Sequence, residues 1–207
     1  MSAEFRTEQE AFWAGSFGDE YMRRNRGEEA VAASTALLGR ALARAQRISS
    51  AIEYGSNIGL QLVALKRLLP NVELAAVEIN AAAARQAASL GVDVHNGSIL
   101  EFTPARTYDL VLISGVLIHI APEQLPTVYD RLHQACGRYL YVAEYYNPTP
   151  VEVEYRGHAG RLFKRDFAGE VMDRFPDLRL RDYGFAYHRD PIFPADDITW
   201  FLLERFG

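Results

Sequence analysis

Glu53, Gly55, Asn57 and Gly59 fall within the stretch EYGSNIG, and Glu78 ends the next apolar run, LAAV. Glycines between a strand and a helix allow backbone angles and close ligand approach that a Cβ would block. Asn57 is the non-glycine type that best tolerates a left-handed conformation. Such a turn aims free backbone N–H groups and a helix N-terminus at whatever lies beyond the strand's carboxyl end. A carboxylate at the tip of the second strand can hold both hydroxyls of a ribose. Together these residues point to a nucleotide-type cofactor, although the spacing is not the GxGxxG of dinucleotide folds. The plain alternative is a glycine turn that only joins a strand to a helix. A second set of residues can move a proton: His119, Tyr146, Glu154, His158 and His188. A lone histidine such as His119, just after an apolar strand, is more often structural than catalytic. No ligand set has zinc spacing and the dispersed acids give no magnesium site, so no metal is expected.

The elements that would place these groups alternate between strand and helix. The run SAIE leads into the glycine turn, and QLVALKRLL continues with helical spacing. Val72–Ile79 reads as the second strand, Asn80 can cap the helix Ala81–Leu90, and Gly91 ends it. Val92–Val94 is a short third strand leading to Asn96 and Ser98. Tyr108–Ser114, YDLVLIS, has the continuous apolar character of a central parallel strand. A helix opening at Pro122 runs to Ala135, and Arg138–Tyr146 is the fifth strand. NPTPVEVEYRGHAGRLFKRD then reads as a long irregular polar loop, suited to a polar, acidic or hydroxylated ligand or simply to solvent. After a helix at Phe167–Phe175, Leu178–His188 and Ile198–Phe206 form a hairpin-like pair. The expectation is α/β: a Rossmann-like seven-stranded sheet, order 3-2-1-4-5-7-6, its last strand antiparallel, with helices on both faces.

Residues 1–27 stand apart. FWAGSFGDEYMRRNRG is too polar for a core helix and too aromatic for a disordered tail. It reads either as a lid, with Tyr21 or Phe17 facing a ligand and Arg24 or Asn25 near its carboxylate, or as an arm patching the sheet's flank. A length of 207 residues suits one sizeable domain. We expect 1–46 to form the lid and a helix, and 47–207 the main body. The net charge of −5 argues against a dedicated nucleic-acid binder. Cys136 is the one cysteine, which fits a reducing cytoplasm. No apolar run reaches membrane-spanning length, and the acidic N-terminus does not read as a signal peptide.

E-x-G-x-N-x-G resembles motif I of class I S-adenosylmethionine (SAM) methyltransferases, and ISGVLIHI-PE resembles their motif IV region. Beyond these, FWxGxFGDEYxxRN, AEYYNPTPVEVEYRGH, RLFKRDFAGE, DYGFAYHRD and FPADDITWFLLE resemble the pseudaminic acid biosynthesis-associated methylases over almost the whole chain. The resemblance implies the seven-stranded methyltransferase sheet and SAM as cofactor. It implies Glu53, Gly55, Asn57 and Gly59 at the SAM turn, Glu78 at the ribose, Asn96 and Ser98 near adenine, and Ser114 beside the methionine part. No aspartate stands at the adenine corner. It further implies a small-molecule acceptor, a sugar or nonulosonic-acid intermediate, in a cytoplasmic enzyme that needs no nucleic acid or membrane and is compatible with a homodimer. The rival readings are a methyltransferase of a peptide or another small acid, an NAD(P)-dependent enzyme on a similar fold, and a non-catalytic SAM-binding protein.

Overall fold

Leu110, Val111, Leu112 and Ile113 are all fully buried, so the strand they form is covered on both faces. In the computed structural model, which describes residues 5–24 and 27–207, that strand is the centre of the sheet. The chain runs α1 (Glu8–Ala14), α2 (Ser16–Arg24), α3 (Glu28–Ala41), β1 (Ser50–Tyr54), α4 (Leu60–Leu68), β2 (Glu73–Glu78), α5 (Ala81–Ala88), β3 (Asp93–Asn96) and β4 (Tyr108–Ser114). It continues through the 3-10 turns Leu117–His119 and Pro122–Gln124 into α6 (Leu125–Ala135), β5 (Cys136–Glu144), β6 (Val151–Tyr155), β7 (His158–Lys164), α7 (Phe167–Arg174), β8 (Leu178–Ala186) and β9 (Ile198–Arg205).

The main sheet has the order β3-β2-β1-β4-β5-β9-β8. Its first five strands are parallel to their neighbours, with Ile52 of β1 paired to Ala75 on one side and Val111 on the other. Strand β9 runs antiparallel to both β5 and β8. This is the expected order, with β8 and β9 as the sixth and seventh strands of the sheet. The period-2 alternation of β4 divides the core. Val111 and Ile113 pack with Val128, Leu132, Phe167 and Val171 of α6 and α7. Leu110 and Leu112 pack with Leu38, Ala41, Ala64 and Leu65 of α3 and α4. Each such Leu, Ile or Val contributes about 1.5–3 kcal/mol on burial, and the result is a sheet between two helical layers whose strand ends converge on one edge.

Two segments depart from expectation. The stretch 147–166 is not an irregular loop but contains an antiparallel hairpin, β6–β7. Its turn is Arg156–Gly157, both with positive φ, at 53° and 82°, the conformation that matches a two-residue hairpin loop to strand twist. The N-terminal segment folds into two short helices. Thr7 caps α1 with its hydroxyl on the Glu10 N–H, and the Glu10 carboxylate answers on the Thr7 N–H at 3.0 Å, a reciprocal capping box.

Candidate functional site

The bend after β1 carries three left-handed residues, Gly55 (φ 77°), Asn57 (φ 49°) and Gly59 (φ 84°). A Cβ on Gly55 would stand 2.5 Å from Val116 Cγ2, so glycine is what lets the bend meet the loop after β4. The Gly55 N–H donates to the Val77 carbonyl at 2.8 Å. The Glu78 carboxylate accepts from the Asn57 N–H at 2.7 Å and the Asn80 N–H at 2.8 Å. Glu78 therefore closes the bend from the tip of β2 while lining the cavity beside it. Burial raises its pKa and these backbone donors oppose the rise. Glu53 sits deeper. Its carboxyl is buried, one oxygen has no hydrogen-bond partner, and burial, reinforced by the charge of Glu78, holds its pKa well above the carboxylate range. A buried carboxyl left half-unpaired becomes a favourable anion when a cation is brought to it.

The next two strand ends build the adjoining wall. Glu144, the last residue of β5, accepts from the Val116, Leu117 and Ile118 N–H groups at 3.0, 2.9 and 3.4 Å. It thereby pins the 3-10 turn that carries His119. Burial pushes Glu144 up to about 7 against those donors. His119 Nδ1 lies 2.6 Å from the Arg161 carbonyl oxygen. A carbonyl only accepts, so Nδ1 carries the hydrogen and Nε2 keeps its lone pair. Burial pushes His119 down to about 4, and the ring is neutral at pH 7.

Over this edge lies a cap made from two distant segments. Gln9 donates to the Gly160 carbonyl at 3.0 Å, and Arg161 pairs with Glu8 at 3.0 Å while lying over the Phe12 ring. The Trp13 ring stands 4.6 Å from His119, and Tyr155 stands 5.0 Å from His119 on the hairpin side. Glu10 accepts from the Ser98 hydroxyl and so ties α1 to the loop after β3. A Cβ on Gly18 would fall 1.9 Å from the Trp13 carbonyl oxygen, so α1 and α2 fold together only with glycine there. Strand ends and cap enclose a cavity of about 510 Å³.

Of the residues singled out from the sequence, Tyr21, Glu53, Gly55, Asn57, Glu78, Ser98, Ser114 and His119 line this cavity. Gly59 stands behind it as the N-cap of α4. Asn96 is turned to the chain, its amide donating to the Glu78 carbonyl at 2.8 Å and the Ile79 carbonyl at 3.3 Å. The Arg24 side chain and Asn25 lie outside the described residues. Four candidate bases stand off the cavity wall. Tyr146 is exposed and turns toward Phe201. Glu154 is exposed on β6. His158 packs on the Phe12 and Phe17 rings. His188 is paired with Asp197 at 2.8 Å. The cavity adds Glu10, Trp13, Glu144, Tyr155 and Arg156, none of which was singled out as a site residue. Glu10 was readable as the end of a T-x-x-E capping box, and Tyr155 and Arg156 as the end of an alternating VEVEY run followed by an R-G turn.

The sequence matches no protein-family model and no curated protein. The fold does match solved structures. Magnesium protoporphyrin IX methyltransferase from Synechocystis PCC 6803, solved with SAH, the demethylated form of SAM, superposes with a TM-score of 0.71 at 12% identity, over 95% of this chain and 98% of that one. The DhpI–SAH complex gives 0.63 at 16% identity over 95% of each chain. DesVI of Streptomyces venezuelae gives 0.64 at 12% identity over 93% of this chain and 99% of that one. What the chain shares with these proteins is the class I methyltransferase fold, along nearly its whole length.

Proposed function

We propose that the chain is a SAM-dependent methyltransferase acting on a small polar acceptor. The observation that carries this reading is Glu53: a buried carboxyl with an unpaired oxygen, beside Glu78, which closes the glycine bend on the same cavity. SAM carries an ammonium and a sulfonium, and a carboxylate pair at this spot suits such a cation. The bend, Glu78 and Ser98 would hold the nucleoside, with Glu53, Ser114 and Tyr21 around the methionine part. When bound, the cofactor supplies an electrophilic methyl group. The chain supplies orientation, worth up to about 7–11 kcal/mol of barrier when the acceptor is held in line, and a cap that excludes water. Two of the three superposed proteins, the Synechocystis methyltransferase and DhpI, were solved with SAH, which supports the donor class.

The family resemblance extends the reading to a sugar or nonulosonic-acid intermediate as acceptor, in the cytoplasm. No described helix is long and apolar enough to cross a membrane. Calorimetry with SAH tests the donor assignment. Glu78→Ala is expected to weaken SAH at least tenfold, with Glu78→Gln intermediate because it keeps one acceptor for the bend. Unchanged affinity in both variants removes Glu78 from the site, and saturable binding of NADH in place of SAH removes the methyltransferase reading.

A further inference from the structure

We propose that the wall formed by Trp13, His119, Tyr155 and Arg156 is the acceptor subsite and that it takes a hydroxyl-bearing anion. In this arrangement Arg156 pairs with the anionic group and His119 Nε2 receives the hydroxyl proton. The proposal rests on the methyltransferase reading and adds the substrate's charge, the atom methylated and the base.

The argument starts from the charges around the cavity. Among the described lining residues the carboxyl groups are Glu10, Glu53, Glu78, Glu144 and Asp196, and the one permanent cation is Arg156. Glu10, Glu78 and Glu144 are engaged by backbone N–H groups or by Ser98. Arg156 is not spent in this way. Its guanidinium lies over the Tyr155 ring, 5.7 Å from the centroid, and it has no ion pair or hydrogen bond to any described residue. Of the other basic residues on or after the hairpin, Arg161 pairs with Glu8 and Arg165 with Glu170, and Lys164 lies over the Tyr145 ring. The hairpin turn fixes where Arg156 stands, since positive φ at both Arg156 and Gly157 is set by the two-residue loop. An unpaired guanidinium on the rim of an otherwise acidic cavity selects an anion, preferably one that it can grip in bidentate fashion.

His119 meets the other requirement. With Nδ1–H held by the Arg161 carbonyl, Nε2 is a lone pair without a partner among the described residues. Tyr155 connects the two functions, its ring 5.0 Å from the imidazole and under the guanidinium. An amine acceptor would be repelled by Arg156. A hydroxyl needs the neutral base that Nε2 offers. The acceptor O–H bond breaks, its electron pair stays on oxygen, and the proton rests on Nε2 as imidazolium. The methyl that takes the proton's place comes from the sulfonium donor, whose carbon–sulfur electron pair remains on sulfur.

The test uses the SAH-saturated full chain with two probes, N-acetylneuraminate and its methyl ester, which differ in the carboxylate charge. Wild type is expected to bind the acid at least tenfold more tightly than the ester. Arg156→Gln should bind both alike, Arg156→Lys should fall between, and SAH affinity should be the same in all three. The turn is exposed, so these variants should fold normally. Failure of the wild type to prefer the acid overturns the proposal, as does an acid preference that Arg156→Gln retains. Loss of SAH affinity in Arg156→Gln also overturns it, by assigning Arg156 to the cofactor. Failure of the wild type to bind SAH at all sinks the donor reading instead, and so is distinguishable. Separately, nitrogen NMR of His119 at pH 7 should show a neutral Nδ1–H ring whose Nε2 resonance moves when the acid is added. A doubly protonated ring, or an Nε2 resonance unmoved by a bound acid, removes His119 as the base.

Discussion

The two halves of the cavity are made of different material. On the β1–β2 side the contacts come from backbone: left-handed residues at 55, 57 and 59, and the Glu78 carboxylate that closes on the Asn57 and Asn80 N–H groups. On the β4–β5 side the contacts come from side chains of distant segments, Trp13, His119 and Tyr155, assembled ring against ring. The fold that carries both halves is shared with proteins at 12–16% identity. Under the proposed function the first half binds the donor and the second selects the acceptor.

The sharpest way to separate the halves is His119→Asn. Methyl transfer to the acceptor should fall about 10²–10⁴-fold, the usual contribution of a positioned base, while SAH affinity stays as in wild type. If SAH weakens along with the rate, the halves are not independent. Glu144 comes next, because it stands between them. Its folded pKa is raised from 4.5 to about 7, so the fold favours its protonated form. That contribution is fully present below about pH 4.5 and is lost as pH rises through 7. Urea unfolding of Glu144→Gln against wild type should therefore show the difference changing by about 3 kcal/mol across this window, to the variant's advantage at high pH. A pH-independent difference would mean that Glu144 does not titrate there.

Gly55→Ala tests the backbone half. The new Cβ meets Val116 at 2.5 Å from a backbone with φ of 77°, and a cost of about 1–3 kcal/mol is expected in unfolding experiments, with SAH weakened as well. A neutral substitution would show that the bend does not depend on glycine. The smallest effect should come from Arg161→Gln, which removes the ion pair to Glu8, where the Arg161 side chain is 17% exposed and that of Glu8 83%. Less than about 1 kcal/mol of stability should be lost, yet hydrogen exchange in α1 should speed up because the cap loses one of its ties to the hairpin and keeps the Gln9–Gly160 bond.

The same division decides what could be read from residues alone. The bend, Glu78 and the buried run of β4 announce themselves because their signals are local: glycine spacing, an apolar run, an acid at its end. The hairpin is hidden in the sequence because both faces of Val151–Glu154 are exposed, so no apolar face marks it as a sheet strand, and the prolines and glycines around it resemble a loop. The cap was legible only as an aromatic cluster. The Glu10 capping box is a four-residue signal, but its bond to Ser98 spans 88 positions, and no local pattern encodes such a contact. His119 could be named from its place after β4. What distinguished it from Tyr146, Glu154, His158 and His188 was the cavity wall.

The central claim is that the Glu53–Glu78 side of the cavity holds a cationic nucleoside. Calorimetric titration of the wild-type chain and of Glu53→Gln with SAM at pH 7 tests it most directly. One site per chain should saturate in the wild type, and Glu53→Gln should bind at least tenfold more weakly. No saturable heat, or a Glu53→Gln variant with the wild-type affinity, would contradict the account.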